Sequence, residues 1–166
     1  MSPLGRFRAP VRAKGSGFVI DIGDDEAALI GRLSVELRAL LTEEAVDDTA
    51  RALLIRLFPV AHPDDEELEA EYQRLMREEL VASKLAALDV VDRAVTDRPA
   101  KVDAAGLLAF MQSVNSVRLV LGTMLDVSDD PDAVEVRTGM ESTPEYALYG
   151  YLSWLLEHSV IAIQAQ

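Results

Sequence analysis

The chain has 166 residues, 49% apolar and 27% charged, with no cysteine and a formal charge of −13. That length suits one domain with a sizeable core, and the apolar share excludes a disordered chain. No apolar run approaches the ~18 residues of a membrane span, no apolar stretch follows the basic start as a secretory signal requires, and without cysteine there is no disulfide, thiolate metal site or thiol switch; the default is a soluble cytoplasmic protein.

Residues 1–22 read as strand material. Phe7, Val11, Phe18, Val19, Ile20 and Ile22 flank Lys14-Gly15-Ser16-Gly17, a turn suited to a β-hairpin. A lone hairpin is marginal in water and must pack on something. The same stretch holds Arg6, Arg8, Arg12 and Lys14 and no acid, so residues 1–14 carry +4 and the remainder −17. A body of that sign repels phosphate backbones. A DNA-contacting regulator would therefore have to use the basic arm or a local patch.

From Asp24 the spacing becomes helical. Asp24 or Asp25 caps a helix with Leu29, Leu33, Leu37, Leu40 and Leu41 on its apolar side. Asp47 and Asp48 start a short helix that carries Ala52, Leu53 and Leu54 toward Pro59. Pro63 opens a long helix to about Val95, with a seam of Leu68, Tyr72, Leu75, Leu88, Val91 and Val95. Six acids among the eight residues Asp64–Glu71 fall in its first two turns, where the helix dipole favours negative charge. A linker at Asp97-Arg98-Pro99 ends it. Asp103 caps a helix reaching Leu125, with Phe110, Val114, Val117, Leu121 and Met124 on one stripe. The acidic stretch Asp126–Thr143, broken by Pro131 and Gly139, reads as a loop. Thr143-Pro144, a cap residue followed by proline, starts a final helix. The expected fold is mainly α, a bundle of about four main helices with an N-terminal β-hairpin. It forms a single helical domain over residues 1–166, with 1–22 as a hairpin arm and 24–166 as the bundle.

Catalytic chemistry finds little to work with. Ala61-His62-Pro63-Asp64-Asp65-Glu66 resembles the signature of zinc-dependent N-acetylglucosamine deacetylases, in which the histidine and one aspartate bind zinc and the neighbouring aspartate is the base. A catalytic zinc needs a third protein ligand. The only other histidine is His158, and acids stand where that family has glycines. A helix start rich in acids explains the same residues. Asp126, Ser128, Asp130 and Asp132 have the spacing of a calcium loop, but Pro131 and Arg137 replace its glycine and glutamate. No phosphate loop or nucleophile–histidine pair is present. The expectation is no catalytic residue, no metal and no cofactor.

Two faces are candidates for interaction. Met111, Asn115, Arg118 and Gly122 flank the apolar stripe of their helix. An arginine placed there commonly forms an interhelical ion pair. Its functional alternative is an anion or partner contact, with Gly122 allowing close approach. The final helix is apolar on more than one side: Leu148, Leu152, Leu155 and Ile163 form one stripe, and Tyr151, Trp154, His158, Ile161 and Ala162 another. Such a helix is either central and buried or carries a second interface, for which tyrosine and tryptophan are favoured anchors.

Three segments together resemble an uncharacterised actinobacterial domain family, often encoded beside the Clp protease adaptor. They are Arg56-Leu57-Phe58-Pro59 running into Asp64-Asp65 and Glu71-Tyr72, Val114-Asn115-Ser116-Val117-Arg118-Leu119 ending in Leu121-Gly122-Thr123, and the helix Tyr149–Val160. His62, His158 and Leu156 stand where that family commonly has tyrosine, serine and glutamine, which argues against a shared role for either histidine. Some members are labelled oxidative-stress transcriptional regulators, so the resemblance implies regulation through the transcription machinery or a protein partner. The reading is a non-enzymatic regulatory or protein-interaction module with a protein partner or a homodimer. The alternatives are a DNA-contacting regulator using the basic arm, disfavoured by net charge, and a zinc hydrolase on His62, Asp64 and Asp65.

Overall fold

The computed structural model describes residues 8–42, 47–125 and 143–166. Phe7, Arg6 and the acidic stretch 126–142, with its calcium-like spacing, lie outside the described residues. In chain order the elements are β1 (Val11–Lys14), β2 (Gly17–Ile20), α1 (Asp24–Thr42), α2 (Asp48–Leu57), α3 (Glu66–Thr96), β3 (Ala100–Val102), α4 (Ala104–Met124) and α5 (Pro144–Gln164). The protein is mainly α, as its spacing predicts, with the N-terminal hairpin in place.

The hairpin closes through Gly15 at φ +62°, a left-handed conformation that glycine adopts without strain. β3 adds antiparallel to β2, pairing Phe18 with Val102 and Ile20 with Ala100. This third strand was not foreseen. Three residues between Pro99 and Asp103 are too short to show an alternating pattern. Val11, Phe18, Ile20 and Ile22 are buried, and β1 lies against α5. The last side chain completes that contact: Gln166 Nε2 donates to the Gly15 and Gly17 carbonyls at 3.3 and 3.1 Å.

Helix starts follow the caps. Asp47 accepts from the Ala50 amide at 2.7 Å, Asp103 from Gly106 at 2.7 Å, and Thr143 from Tyr146 at 3.3 Å. Two expected starts shift. Asp24 and Asp25 lie inside the first turn of α1 instead of capping it, and the Gly23 carbonyl accepts the Ala27 amide. α3 begins at Glu66, not at Pro63. Asp65 is its cap, accepting from Leu68 at 3.0 Å, and Glu69 Oε2 draws the Ala61 and His62 amides out of helical geometry.

α4 is the centre of the bundle, packed against α1, α2, α3, α5, β2 and β3. Leu107, Phe110, Val114 and Leu121 are essentially sealed from solvent. By length and composition α4 is the one helix among the described residues that could cross a membrane, a feature that run-counting passes over. Its central position accounts for that composition.

The apolar seams are corrected in three places. α1 buries Ala27, Ile30, Ser34, Leu37 and Leu41, while Leu29, Leu33 and Leu40 are only half-buried. The register is set by a polar clasp. Fully buried Ser34 donates to Asp92 Oδ1 at 2.7 Å, and Arg38 reaches Asp89 at 2.6 Å and Asp92 at 2.7 Å. Along α3 the expected seam fails in its first half, since Leu68 and Leu75 are 44% and 61% exposed. The helix outruns the bundle there, and its buried residues run only from Ala87 to Ala94. Met124 is likewise exposed at the end of α4.

Candidate functional site

Arg118 is the only charged residue of α4. It stands half-buried where α4 meets α5. Its guanidinium donates to Asn115 Oδ1 at 2.9 Å and to Ser153 Oγ at 3.4 Å, and its Nε–H is buried without an acceptor. Ser153 can accept because its own hydroxyl proton goes to the Tyr149 carbonyl at 3.1 Å. The expected interhelical ion pair is not found among the described residues, where no carboxylate forms a salt bridge with this arginine. The helix faces explain the absence: α5 presents a serine here, and its acid, Glu157, sits one turn further on.

Gly122 lies one turn along α4 from Arg118. A Cβ there would fall 3.0 Å from Tyr149 Cε2, so glycine is what permits the close approach of the two helices. Gly122 opposite Tyr149 and Arg118 opposite Ser153 fix an antiparallel register. That register sets Met111 level with Val160 and Leu108 level with Ile163. Leu108, Val160 and Ile163 are exposed large apolar residues. Asn115, Arg118 and Gly122 are thus brought together, on a face whose far end is bare hydrocarbon.

Tyr151, Trp154 and His158 form a separate cluster on another side of α5. Tyr151 meets Trp154 with ring centres 5.7 Å apart, and Trp154 meets His158 edge-on at 4.6 Å. All three are half-buried. Burial, with the nearby Glu26 and Asp21 charges, pushes the Tyr151 hydroxyl up to about 12 against a hydrogen bond from the Gly23 backbone. The cluster therefore faces the β2–α1 junction. The apolar stripes of α5 also differ from expectation: Ala162 is buried while Ile161 and Ile163 are exposed.

The residues of the deacetylase lookalike are held by local structure. Asp65 caps α3, and the His62 ring packs edge-on against Tyr72 at 5.7 Å. The Gln73 side chain, ahead of the His62 and Ala61 amides, holds the Glu69 carboxyl below its usual range, partly opposed by desolvation. Among the described residues no three His, Asp or Glu side chains are grouped to hold a metal. In the basic arm, Arg12 lies 3.9 Å from Asp21 and donates to the Ala9 carbonyl at 3.5 Å, so part of its charge is matched locally.

Two concavities lie elsewhere. An apolar groove of about 310 Å³ between α1, α2 and α4 is lined by Leu33, Leu37, Leu40, Leu53, Val117 and Met124. A cleft of about 600 Å³ by the end of α3 carries Arg93, Asp97, Lys101 and Asp103, two charges of each sign. Neither gathers a nucleophile and a base. Ser153 and Ser34 are the polar residues that sequence reasoning missed. Both contacts depend on helix register, which no local pattern announces.

Residues 6–163 match the family model described as Domain of unknown function (DUF2017). No curated protein and no solved structure matches the chain.

Proposed function

The chain belongs to the DUF2017 family of domains of unknown function, and from that premise we propose that it is a non-enzymatic, cytoplasmic regulatory module that works by protein contact through its α4–α5 face. The observation that carries the reading is Arg118. A half-buried guanidinium with two neutral acceptors and, among the described residues, no carboxylate partner is an unusual feature in a chain of charge −13. Arginine set among exposed apolar residues is the composition of an interface anchor, since its planar fork binds carboxylates bidentately and loses little entropy doing so. Leu108, Val160 and Ile163 supply the apolar part of the same face, further along the two helices.

The resemblance to proteins labelled oxidative-stress transcriptional regulators supports a regulatory output. Thiol-based oxidant sensing has no residue to use in this chain, which lacks cysteine. Any such response must reach it through a partner.

Cross-linking of the full chain, with the cross-linked residues mapped, tests the reading. Intermolecular cross-links should concentrate on α4 and α5 and disappear in Arg118→Glu, with helicity unchanged by circular dichroism. Cross-links scattered over the surface, or unaffected by that substitution, would refute it.

A further inference from the structure

We propose that the partner of this face is a second copy of the chain, with α5 lying antiparallel to its mate about a twofold axis at the level of Leu155. The proposal rests on the interaction reading above and adds the identity of the occupant.

The pattern is on α5 itself. Opposite its buried residues Leu148, Leu152, Leu155, Ser159 and Ala162 runs an outward stripe of Tyr146, Gly150, Ser153, Glu157, Val160 and Gln164. The steps of 4, 3, 4, 3 and 4 residues keep one helical face throughout. A twofold axis demands that a surface fit itself, residue i on j and j on i. Reversal about position 155 does so at every step. It sets Tyr146 against Gln164, Gly150 against Val160, and Ser153 against Glu157 of the other copy.

Two of the three pairings join a need to its match. Gly150 is exposed, and a Cβ added there would meet nothing within 4 Å, so packing among the described residues gives no reason for the glycine. Glycine is among the poorest helix formers. Its use here is explained by close approach of another backbone, with Val160, 43% exposed, as the opposing knob. The charge pairing is equally specific. Ser153 accepts from Arg118, so the carboxylate brought to Ser153 is brought to the guanidinium. Glu157 is exposed and in no salt bridge among the described residues. Two reciprocal Arg118–Glu157 pairs result, each charge-assisted and each supplying the missing anion.

Sedimentation of the full chain over a concentration series tests this. The wild type should reach about twice its 18.2 kDa mass at its higher concentrations. Arg118→Glu and the change Glu157→Arg at an exposed position should each weaken association at least about tenfold. The double charge swap should restore it, and Gly150→Leu should block it with helicity intact. A wild type that stays monomeric to its solubility limit, or a dimer indifferent to Glu157→Arg, overturns the proposal. If the wild type is monomeric while Arg118→Glu still abolishes cross-links to another protein, the second copy is wrong and the interaction face stands. If Arg118→Glu alters neither, both readings fall.

Discussion

The close approach of α4 and α5 yields a quantitative contrast between two glycines. Gly122→Ala places a methyl carbon 3.0 Å from Tyr149 Cε2, about half an ångström inside the ~3.5–4.0 Å optimum for carbon contacts. Overpacking of that order costs about 1–3 kcal/mol, while alanine's better helix propensity recovers about 1 kcal/mol. The net loss is about 0–2 kcal/mol. Gly150→Ala meets nothing within 4 Å and keeps only the propensity gain of about 0.5–1 kcal/mol. The same chemical change thus takes opposite directions, with the variants separated by about 1–3 kcal/mol. Urea unfolding in dilute solution reads the difference directly, because dilution removes any contribution from association. The midpoints should move apart with unchanged slopes. A Gly122→Ala variant as stable as Gly150→Ala would refute the packing of Gly122 on Tyr149.

Asp92→Ala should cost about 1–3 kcal/mol, because it strips the acceptor from fully buried Ser34, whereas Asp92→Asn keeps an acceptor oxygen and should cost less; equal losses in urea melts would show that the charge, not the Ser34 bond, carries the effect. Glu69 titrates below its unfolded value, so the strap it holds at Ala61 and His62 contributes stability above the ordinary glutamate value of 4.5 and loses it as pH falls through the depressed pKa. Glu69→Gln should flatten the acid limb of stability, and an unchanged limb would dismiss the strap. Tyr151 is the reverse case: its raised pKa means stability is present below 10 and lost as pH climbs toward about 12. Ultraviolet titration should show one late tyrosine step, absent in Tyr151→Phe; persistence of that step in the variant would assign it elsewhere.

Three of the five expected helix starts are legible because their physics is local, while those of α1 and α3 are displaced. Asp47, Asp103 and Thr143-Pro144 mark helix starts because capping involves residues only three apart. Leu148, Leu152 and Leu155 are buried as spaced. What escaped depends on which element lies next to which. The leucines of α1 suggest a seam at Leu29 and Leu33, yet the buried face turns toward Ser34 because Asp92, on α3, holds its hydroxyl. The first half of α3 has seam-like leucines, Leu68 and Leu75, that no element among the described residues buries, since periodicity records amphipathicity and not the reach of the bundle. Phe58 shows what reaches that region: Arg77 stacks on its ring at 4.0 Å and Lys84 approaches at 5.6 Å, and burial lowers the Lys84 ammonium. At the candidate site, Asn115, Arg118 and Gly122 were recognisable as one flank by their spacing. The acceptor at Ser153, and the empty place where an ion pair was expected, needed the register of two helices.

The contact between the hairpin and α5 also sets a schedule for synthesis. Val11 and Phe18 leave a ribosome well before the helix that covers β1, which begins only at Pro144. At 5–20 residues per second the interval is roughly 6–25 s. A two-stranded ribbon does not hold itself together in water for that long. β2 gains β3 and α4 as partners once residues 100–124 are made, but β1 stays without its cover until α5 is free to reach it. A nascent chain stalled before Pro144 would leave β1 without its cover and display it to chaperones or proteases.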